Sequence, residues 1–525
     1  MDPQTLTYLA VGASLLIYLL IVWRTRALGA NDFYVAGRGV GPFLNGMAIA
    51  ANWLSVASFL TLAGLVAALG YQGGLYLMGW TGGYLLLAML IAPFLRKFGG
   101  YTVPEFIGDR YGCQMARFVA ILCVILVSFT LLAGQTRGIG IVFGQLLNLD
   151  IASGTALGLG IVTLFAVVGG MKGVTYSQVA QYLVLIFAFI VPAVFIALQL
   201  TGNPWPQVAL GGYLTDGSGL YLLDKLDKVV TDLGLAAYTS PVGGIAMLDM
   251  VCVAAALMVG TAGLPHVIVR FFTVRRVRDA RSSAAWALIF IAIFYTTVPA
   301  VAAMGRLSLA GVAEGGELVN PLFAGLPGWV AALVVAGAVA AALTTAAGLL
   351  LVIAAAISHD LTKGMIAKGI GEGGEVLVGR IAVVVAAALA LLIALYLGDK
   401  PPRALLQLVV FAFGLAAASL FPALVLGIFD QRMNRWGATL GMLAGLGITL
   451  AYIVYFGGGL LGMPEAPASG RFLGISPEGI GALGMVLNFS VAWALSRITP
   501  PPPERIRDLV EDIRVPREDG EALDH

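Results

Sequence analysis

Charge and reactive side chains are scarce in this chain of 525 residues: Asp, Glu, Lys and Arg together make up 11%, against about 25% in a soluble domain. Cys113, Cys123 and Cys252 have no paired spacing, so neither a disulfide framework nor a metal cluster is expected, and they read as buried thiols. Three histidines, at 266, 359 and 525, offer no catalytic cluster of the kind a membrane-embedded acyl or glycosyl transferase requires. The formal net charge of +2 gives no electrostatic footprint for nucleic acid.

What is present is apolar. Hydrophobic residues make up 59% of the chain, and the mean hydropathy is +0.94. A membrane-spanning helix needs roughly 20 apolar residues, and thirteen stretches qualify: 6–23, 42–69, 74–95, 117–147, 150–169, 177–200, 246–264, 283–304, 327–357, 379–398, 404–428, 437–457 and 478–496. The 68 glycines spread through them suit close helix packing in lipid. The first stretch has no basic cluster ahead of it and no small-residue cleavage site after it, so it reads as a retained helix rather than a signal peptide.

Thirteen spans put the termini on opposite sides. Most of the 30 basic residues fall in one set of loops, and the other set holds only Lys225, Lys228, Arg306, Lys400, Arg403 and Arg471. By the positive-inside bias the N-terminus is outside and the C-terminus cytoplasmic, as in a multi-pass protein of the plasma membrane, the bacterial inner membrane. Residues 201–245 read as an external connector with one short surface helix near Asp224–Asp232. The tail from Thr499 opens on four prolines and continues with mixed charge, a composition that does not fold alone.

Function in a bilayer shows through polar groups that are costly to place there. The second stretch reads NGMAIAANWLSVASFLTLAG over Asn45–Gly64, crowded with Asn52, Ser55, Ser58 and Thr61. Such a segment can break, leaving carbonyls free to hold a cation. Thr344 and Thr345 lie deep in the ninth stretch. Their hydroxyls are hard oxygen donors suited to a cation such as sodium, and equally they are residues that back-bond to carbonyls a turn earlier. Arg137, in LLAGQTRGIG, sits mid-helix, where an arginine costs about 2.5–3.5 kcal/mol and calls for a partner. A substrate carboxylate, Asp249 or carbonyls at a broken helix would each serve. Gln135, two positions earlier, does not share its helical face.

Four further phrases join the polar second stretch: RKFGGYTVPEFIGDRYG (Arg96–Gly112), GGMKGVTYSQVAQ (Gly169–Gln181), GLPHVIVRFFTV (Gly263–Val274) and ALTTAAGLLLVIAAAISHDL (Ala342–Leu361). Together they resemble the sodium:solute symporter family, which includes the sodium/glucose and sodium/proline symporters, over Asp32 to about Arg435. The phrases SHDL and GTAGLPHVIVRFFTV are most similar to its acetate and monocarboxylate permease branch, the cation/acetate symporters.

The resemblance implies an all-α integral membrane fold of 13 transmembrane helices, with two inverted five-helix repeats and discontinuous helices. Residues 1–30 would carry an extra N-terminal helix, 31–435 the transporter core, 436–498 two additional helices and 499–525 a cytoplasmic tail. It further implies sodium held by the carbonyls of Ala51, Leu54 and Ala341 and the hydroxyls of Thr344 and Thr345. Members with a second sodium place an aspartate where Gln178 stands, so one sodium per cycle is expected. The family pocket maps onto Ser55, Ser58, Gln135 or Arg137, with Phe411 or Phe413 as a lid. The same phenylalanines, and Trp53, also suit plain packing, and His266 and Arg270 read as a structural loop held by hydrogen bonds.

The expected function is therefore secondary active transport: sodium moves inward and draws in a small organic solute such as acetate, pyruvate or lactate, with no enzymatic step. The partners are a small-molecule substrate, sodium and the lipid bilayer, and no nucleic acid. The alternatives are sodium symport of a neutral solute (sugar, proline or another amino acid) and a proton-translocating membrane subunit. The latter needs several ionisable groups at mid-membrane depth, where this sequence has Arg137.

Overall fold

The computed structural model describes residues 2–241, 247–308, 326–398, 403–461, 464 and 466–515. Residues 516–525 of the tail, 242–245 of the external connector, residue 246 at the start of the seventh apolar stretch, and Lys400 lie outside it. Apart from an isolated bridge between Tyr213 and Tyr221, the regular structure described is helical.

In chain order the helices are α1 (Pro3–Arg24), α2 (Ala30–Val35) and α3 (Pro42–Trp53), then a π-helical turn (Ala57–Thr61) leading into α4 (Leu62–Leu69). There follow α5 (Gly73–Leu90), α6 (Ala92–Phe98), α7 (Val103–Tyr111), α8 (Gln114–Leu147), α9 (Ile151–Leu164) and α10 (Gly170–Thr201). The connector carries α11 (Pro206–Ala209) and α12 (Leu222–Asp232), and α13 (Met247–Gly263), α14 (Pro265–Ile268) and α15 (Val277–Ser308) come next. The chain continues as α16 (Gly328–Ala355), α17 (Glu372–Leu397), α18 (Arg403–Phe429), α19 (Arg435–Gly457), α20 (Ile480–Ile498) and α21 (Glu504–Arg514).

Among the described residues, 10 helical runs are long and apolar enough to cross a membrane, and α13 with α14, bent by 45°, makes up to 11. All thirteen apolar stretches of the sequence fall on helices, but closely joined helices run together: Ile151–Ala209 forms one run of 59 residues. Fully extended, that run would measure on the order of 90 Å at 1.5 Å per residue, three times the hydrocarbon core. It turns instead at Gly170 (φ +54), as Ala57–Leu90 turns at Gly70 (φ +57). A side chain at Gly70 would also meet the Tyr238 carbonyl at 2.3 Å, so steric room and backbone dihedral both demand glycine there.

The helices exchange packing partners in a regular pattern. α3 packs on α10 as α13 packs on α18, and α5 meets α13 as α15 meets α3. α8 lies on α9 and α18, as α16 lies on α17 and α10. α16 and α18 are enclosed on nearly all sides, and α19 and α20 pair with each other against α18.

Close approach rests on small residues. A Cβ added at Gly260 would lie 2.1 Å from the Phe413 carbonyl, one at Gly83 2.2 Å from that of Met258, and one at Gly445 2.0 Å from that of Ala418. With no water to expel between helices, this backbone-to-backbone packing supplies much of the cohesion.

The connector contains the expected surface helix, α12, which buries Leu222, Leu226 and Val230 on one face. The mixed-charge tail, not expected to fold by itself, forms a helix packed on the membrane helices. α21 places Val510 and Ile513 against α6, α7 and α18, and Arg514 Nη2 donates to the Phe429 carbonyl at 2.8 Å. The segment lacks a core of its own, but the membrane helices lend it one.

Gly260→Ala is expected to lower the unfolding temperature of the detergent-purified protein by forcing α13 from α18, an overpacking cost of about 1–3 kcal/mol. Gly12→Ala, where nothing lies within 4 Å, is expected to leave it unchanged or raise it slightly.

Candidate functional site

α3 ends inside the helical bundle, among buried residues. Leu54 (φ −77, ψ 67) leaves the helical region, and the Ser55 amide turns back to the Trp53 carbonyl at 2.8 Å. Ser55 is the residue whose amide would bond Ala51 in a continuous helix, so the Ala51 carbonyl loses its helical donor, and Leu54 lies in the break itself. A second interruption comes at Leu264 (φ −71, ψ 118), ahead of Pro265, which has no N–H to give. The two breaks are tied together: Asn52 Nδ2 donates to the His266 carbonyl at 3.5 Å.

Thr345 of α16 faces the first break, and Thr344 beside it back-bonds within its own helix. Thr345 Oγ1 donates to the Asn52 carbonyl at 2.8 Å, and Thr344 Oγ1 to the Ala341 carbonyl at 3.0 Å. Ala51, Leu54, Ala341, Thr344 and Thr345 are all buried. The cluster offers neutral hard oxygens and no carboxylate, a donor set suited to a monovalent hard cation. Gln178 Nε2 donates to the Thr344 carbonyl at 2.7 Å and reaches Asn52 Oδ1 at 3.4 Å, so an amide stands at the cluster's edge.

Beside this cluster lies a pocket of about 30 Å³ whose walls include Ser55, Ser58, Gln135, His266, Trp80 and Phe413. Ser55, Ser58, Gln135 and Phe413 are thus brought together with Thr345, while two other candidates are not. Arg137 turns to the Gly398 carbonyl beyond the end of α17 and does not line the pocket. Phe411 faces Gly457 on α19, whose added Cβ would meet its ring at 3.2 Å. In both pairs, 135/137 and 411/413, two residues on a helix are about 200° apart, so one side chain enters the pocket and the other leaves it. Asp249, the other candidate partner for Arg137, accepts instead from Ser476, at 2.7 Å from both its amide and its hydroxyl.

Three wall residues were not anticipated as such. His266, read from the sequence as part of a loop, is 4% exposed, lines the pocket, and has no hydrogen-bond partner at Nδ1 among the described residues. Trp80 and Tyr295 join it, and nothing distinguishes either from the other membrane aromatics in the sequence. Trp80 meets Phe413 edge-on at 6.0 Å. On the side where α1 begins, a larger cavity of about 580 Å³ is lined by Gln72, Tyr76, Asp249, Gln407, Ser476 and Glu478 among others. Tyr76 lies one turn before Trp80, and Leu406 two turns before Phe413, so the Trp80–Phe413 contact stands between cavity and pocket.

The opposite end is cross-linked by charge. Arg117 Nη2 bonds Asp360 Oδ1 at 2.8 Å, and the Asp360 side chain is wholly buried. His359 bridges Glu105 (3.5 Å) and Glu375 (2.7 Å), Lys363 bonds Glu375 at 2.7 Å, and the Tyr34 and Ser358 hydroxyls meet at 2.7 Å. Burial works against charge on Glu105, yet the His359 hydrogen bond and the Tyr101 amide hold its carboxyl below the ordinary range. These contacts bind α2, α7, α8 and α17 to the π-helical extension of α16 (Ala356–Ile366).

A model of the sodium:solute symporter family matches residues 33–445. The chain belongs to that family. An uncharacterised symporter of Cupriavidus necator is 32% identical, covering 98% of this chain and 94% of its own. A monocarboxylic acid transporter of Corynebacterium glutamicum is 28% identical, covering 94% of this chain and 92% of its own. Among solved structures, a Na+-coupled sialic acid symporter in a substrate-bound, outward-open state superimposes with a TM-score of 0.75 at 15% identity, covering 95% of this chain and 98% of its own. A nucleobase-cation-symport-1 family transporter in a closed conformation gives 0.51, also at 15%, over 92% of this chain and 98% of its own. The symporter fold is therefore shared well beyond recognisable sequence. As a sodium:solute symporter, this multi-pass chain is a transporter, with sodium as its coupling ion.

Asp360→Asn removes one partner of a buried ion pair and is expected to destabilise the symporter by about 3–5 kcal/mol. Asp216→Asn breaks an exposed pair with Lys225 and should leave the unfolding temperature in detergent unchanged.

Proposed function

We propose that this symporter carries a small monocarboxylate, such as acetate, pyruvate or lactate, inward together with one sodium ion. The observation that carries the reading is the Thr345 hydroxyl against the carbonyl edge of the broken α3 helix. A cation arriving there replaces the hydroxyl proton as partner of the Asn52 turn and gathers the Ala51, Leu54 and Ala341 carbonyls with the Thr344 and Thr345 oxygens. Gln178, an amide where a second ion would need a carboxylate, supports one sodium per cycle.

The size of the pocket supports a small solute. About 30 Å³ holds only a few heavy atoms on a scale where one water needs roughly 10–15 Å³, which suits acetate or lactate better than a hexose. The relative named as a monocarboxylic acid transporter points the same way. In this reading Ser55, Ser58 and Gln135 offer hydrogen bonds to the carboxylate, and Phe413 with Trp80 forms the lid.

The architecture of the proposal is thirteen spans: α1, then two five-span inverted repeats from α3 to α10 and from α13 to α18, then α19 and α20. The recurrence of packing partners five spans later supports it. The crowding of basic residues at the end where α1 stops supports an external N-terminus and a cytoplasmic tail in the bacterial inner membrane. The 580 Å³ cavity is then an outward vestibule. Sodium stabilises the outward-facing state and prepares the pocket, the repeats rock, and both cargoes leave inside. A membrane potential of 100 mV supplies about 2.3 kcal/mol for each sodium.

The test is uptake of labelled acetate, pyruvate and lactate into proteoliposomes, beside proline and glucose, with and without an inward sodium gradient. Sodium-dependent uptake of a monocarboxylate is expected, with KM raised about tenfold in Gln135→Ala, the loss of one buried hydrogen bond. Sodium-dependent uptake of proline or glucose alone would replace the substrate with a neutral solute.

A further inference from the structure

Two of the buried arginines are well supplied with hydrogen-bond partners. Arg110, wholly buried, spends Nε, Nη1 and Nη2 on the carbonyls of Gly427 (2.6 Å), Met433 (3.3 Å) and Asp430 (2.7 Å). Arg117 has Asp360. Arg270, also 0% exposed, has fewer partners than these two. Its Nη1 donates to the Thr175 hydroxyl at 2.7 Å, while Nε and Nη2 have no hydrogen-bond partner. No Asp or Glu among the described residues forms an ion pair with it.

Its surroundings are polar and equally underused. Thr175, Gln178 and Gln181 fall at i, i+3 and i+6 along one face of α10. Gln181 is 1% exposed, with neither end of its amide hydrogen-bonded, and the Gln178 carbonyl oxygen is likewise unpartnered. Asn52 and Arg270 both close over the bare backbone of Gly348: an added Cβ would lie 2.7 Å from Asn52 Oδ1 and 3.4 Å from Arg270 Nη2. Gly348 is one turn after Thr344 and Thr345, about 5 Å further along α16, toward the end where α1 stops. Asn52 and His266, which line the pocket, therefore stand directly between it and the guanidinium.

We propose that Arg270 forms a second anion-binding site, which receives the substrate carboxylate after it leaves the pocket and before it reaches the cytoplasm. The guanidinium presents Nε–H and Nη2–H, a fork matched to two carboxylate oxygens. A buried cation without a counter-ion is costly to keep, and an arriving carboxylate offsets that cost. The positive charge also favours sodium and carboxylate parting company on the inner side, because it attracts one and repels the other. The identity of the anion rests on the monocarboxylate reading; the existence of the site does not.

Sodium-free, detergent-purified protein in sulfate-based choline buffer is titrated with acetate and pyruvate, and separately with chloride, while the unfolding temperature is followed. The parent is expected to show saturable stabilisation by the carboxylates without sodium. Arg270→Lys should keep the response with a weaker half-saturation. Arg270→Gln should raise the half-saturating concentration roughly tenfold or more.

Gln178→Asp keeps the arginine but supplies an internal carboxylate one turn from Thr175. It should raise the starting unfolding temperature and weaken the anion response together, an outcome that loss of folding does not mimic. An unchanged half-saturation in both Arg270→Gln and Gln178→Asp, or no carboxylate response in the parent, overturns the proposal. A response to chloride alone overturns the substrate role. Monocarboxylate uptake without this sodium-free response removes the second site and leaves the proposed function standing; the sodium-free response without uptake does the reverse.

Discussion

A peptide group released from a helix inside hydrocarbon has no water to turn to, and its cost persists until protein or cargo satisfies it. The interruption of α3 at Leu54–Ser55 creates that debt at the centre of this molecule. The Thr345 hydroxyl takes up the Asn52 carbonyl and Asn52 in turn holds His266 at the second break. The candidate site is arranged around these freed carbonyls: the oxygen cluster on one side, the small pocket on the other, and Arg270 a turn beyond.

The surrounding packing explains how so costly a feature is held in place. α16 is enclosed on nearly every face, and its π-helical extension is clamped by the Arg117–Asp360 pair and the His359, Glu105, Glu375 and Lys363 network. That end is cross-linked by charge. The other end is open, with a cavity of about 580 Å³ narrowing to the Trp80–Phe413 contact. Small residues at Gly260, Gly83 and Gly445 bring backbones close enough that the helices touch without bulky side chains between them. The asymmetry between a sealed end and an open one is what alternating access requires of any single state.

Much of this was legible in the sequence. The apolar stretches each fall on a helix, because length and hydropathy alone select helices in lipid. The polar crowding from Asn52 to Thr61 marked the break, and Thr344 and Thr345 marked its partner. Direction around a helix was harder. Gln135 and Arg137 were read as rivals for one role, and only the packing of α8 against α18 decides that Gln135 faces the pocket and Arg137 the Gly398 carbonyl. Phe411 and Phe413 part for the same reason. The inner charge network was invisible because its members lie far apart in the chain, Glu105 and His359 among them. The tail helix α21 was missed because its apolar face, Val510 and Ile513, has a host only in the folded core.

The central claim is that the broken α3 turn and the α16 threonines form one sodium site. Its most direct test is sodium binding to the purified protein, read as the rise of unfolding temperature in sodium, potassium and choline sulfates at equal ionic strength, for the parent and Thr345→Ala. A ligand that binds only the folded state stabilises it in proportion to the logarithm of its concentration above Kd. The account predicts saturable stabilisation by sodium alone in the parent, with half-saturation at least about tenfold higher in the variant, the order expected for one lost ligand. Equal stabilisation by all three cations, or a sodium response untouched by Thr345→Ala, would contradict it.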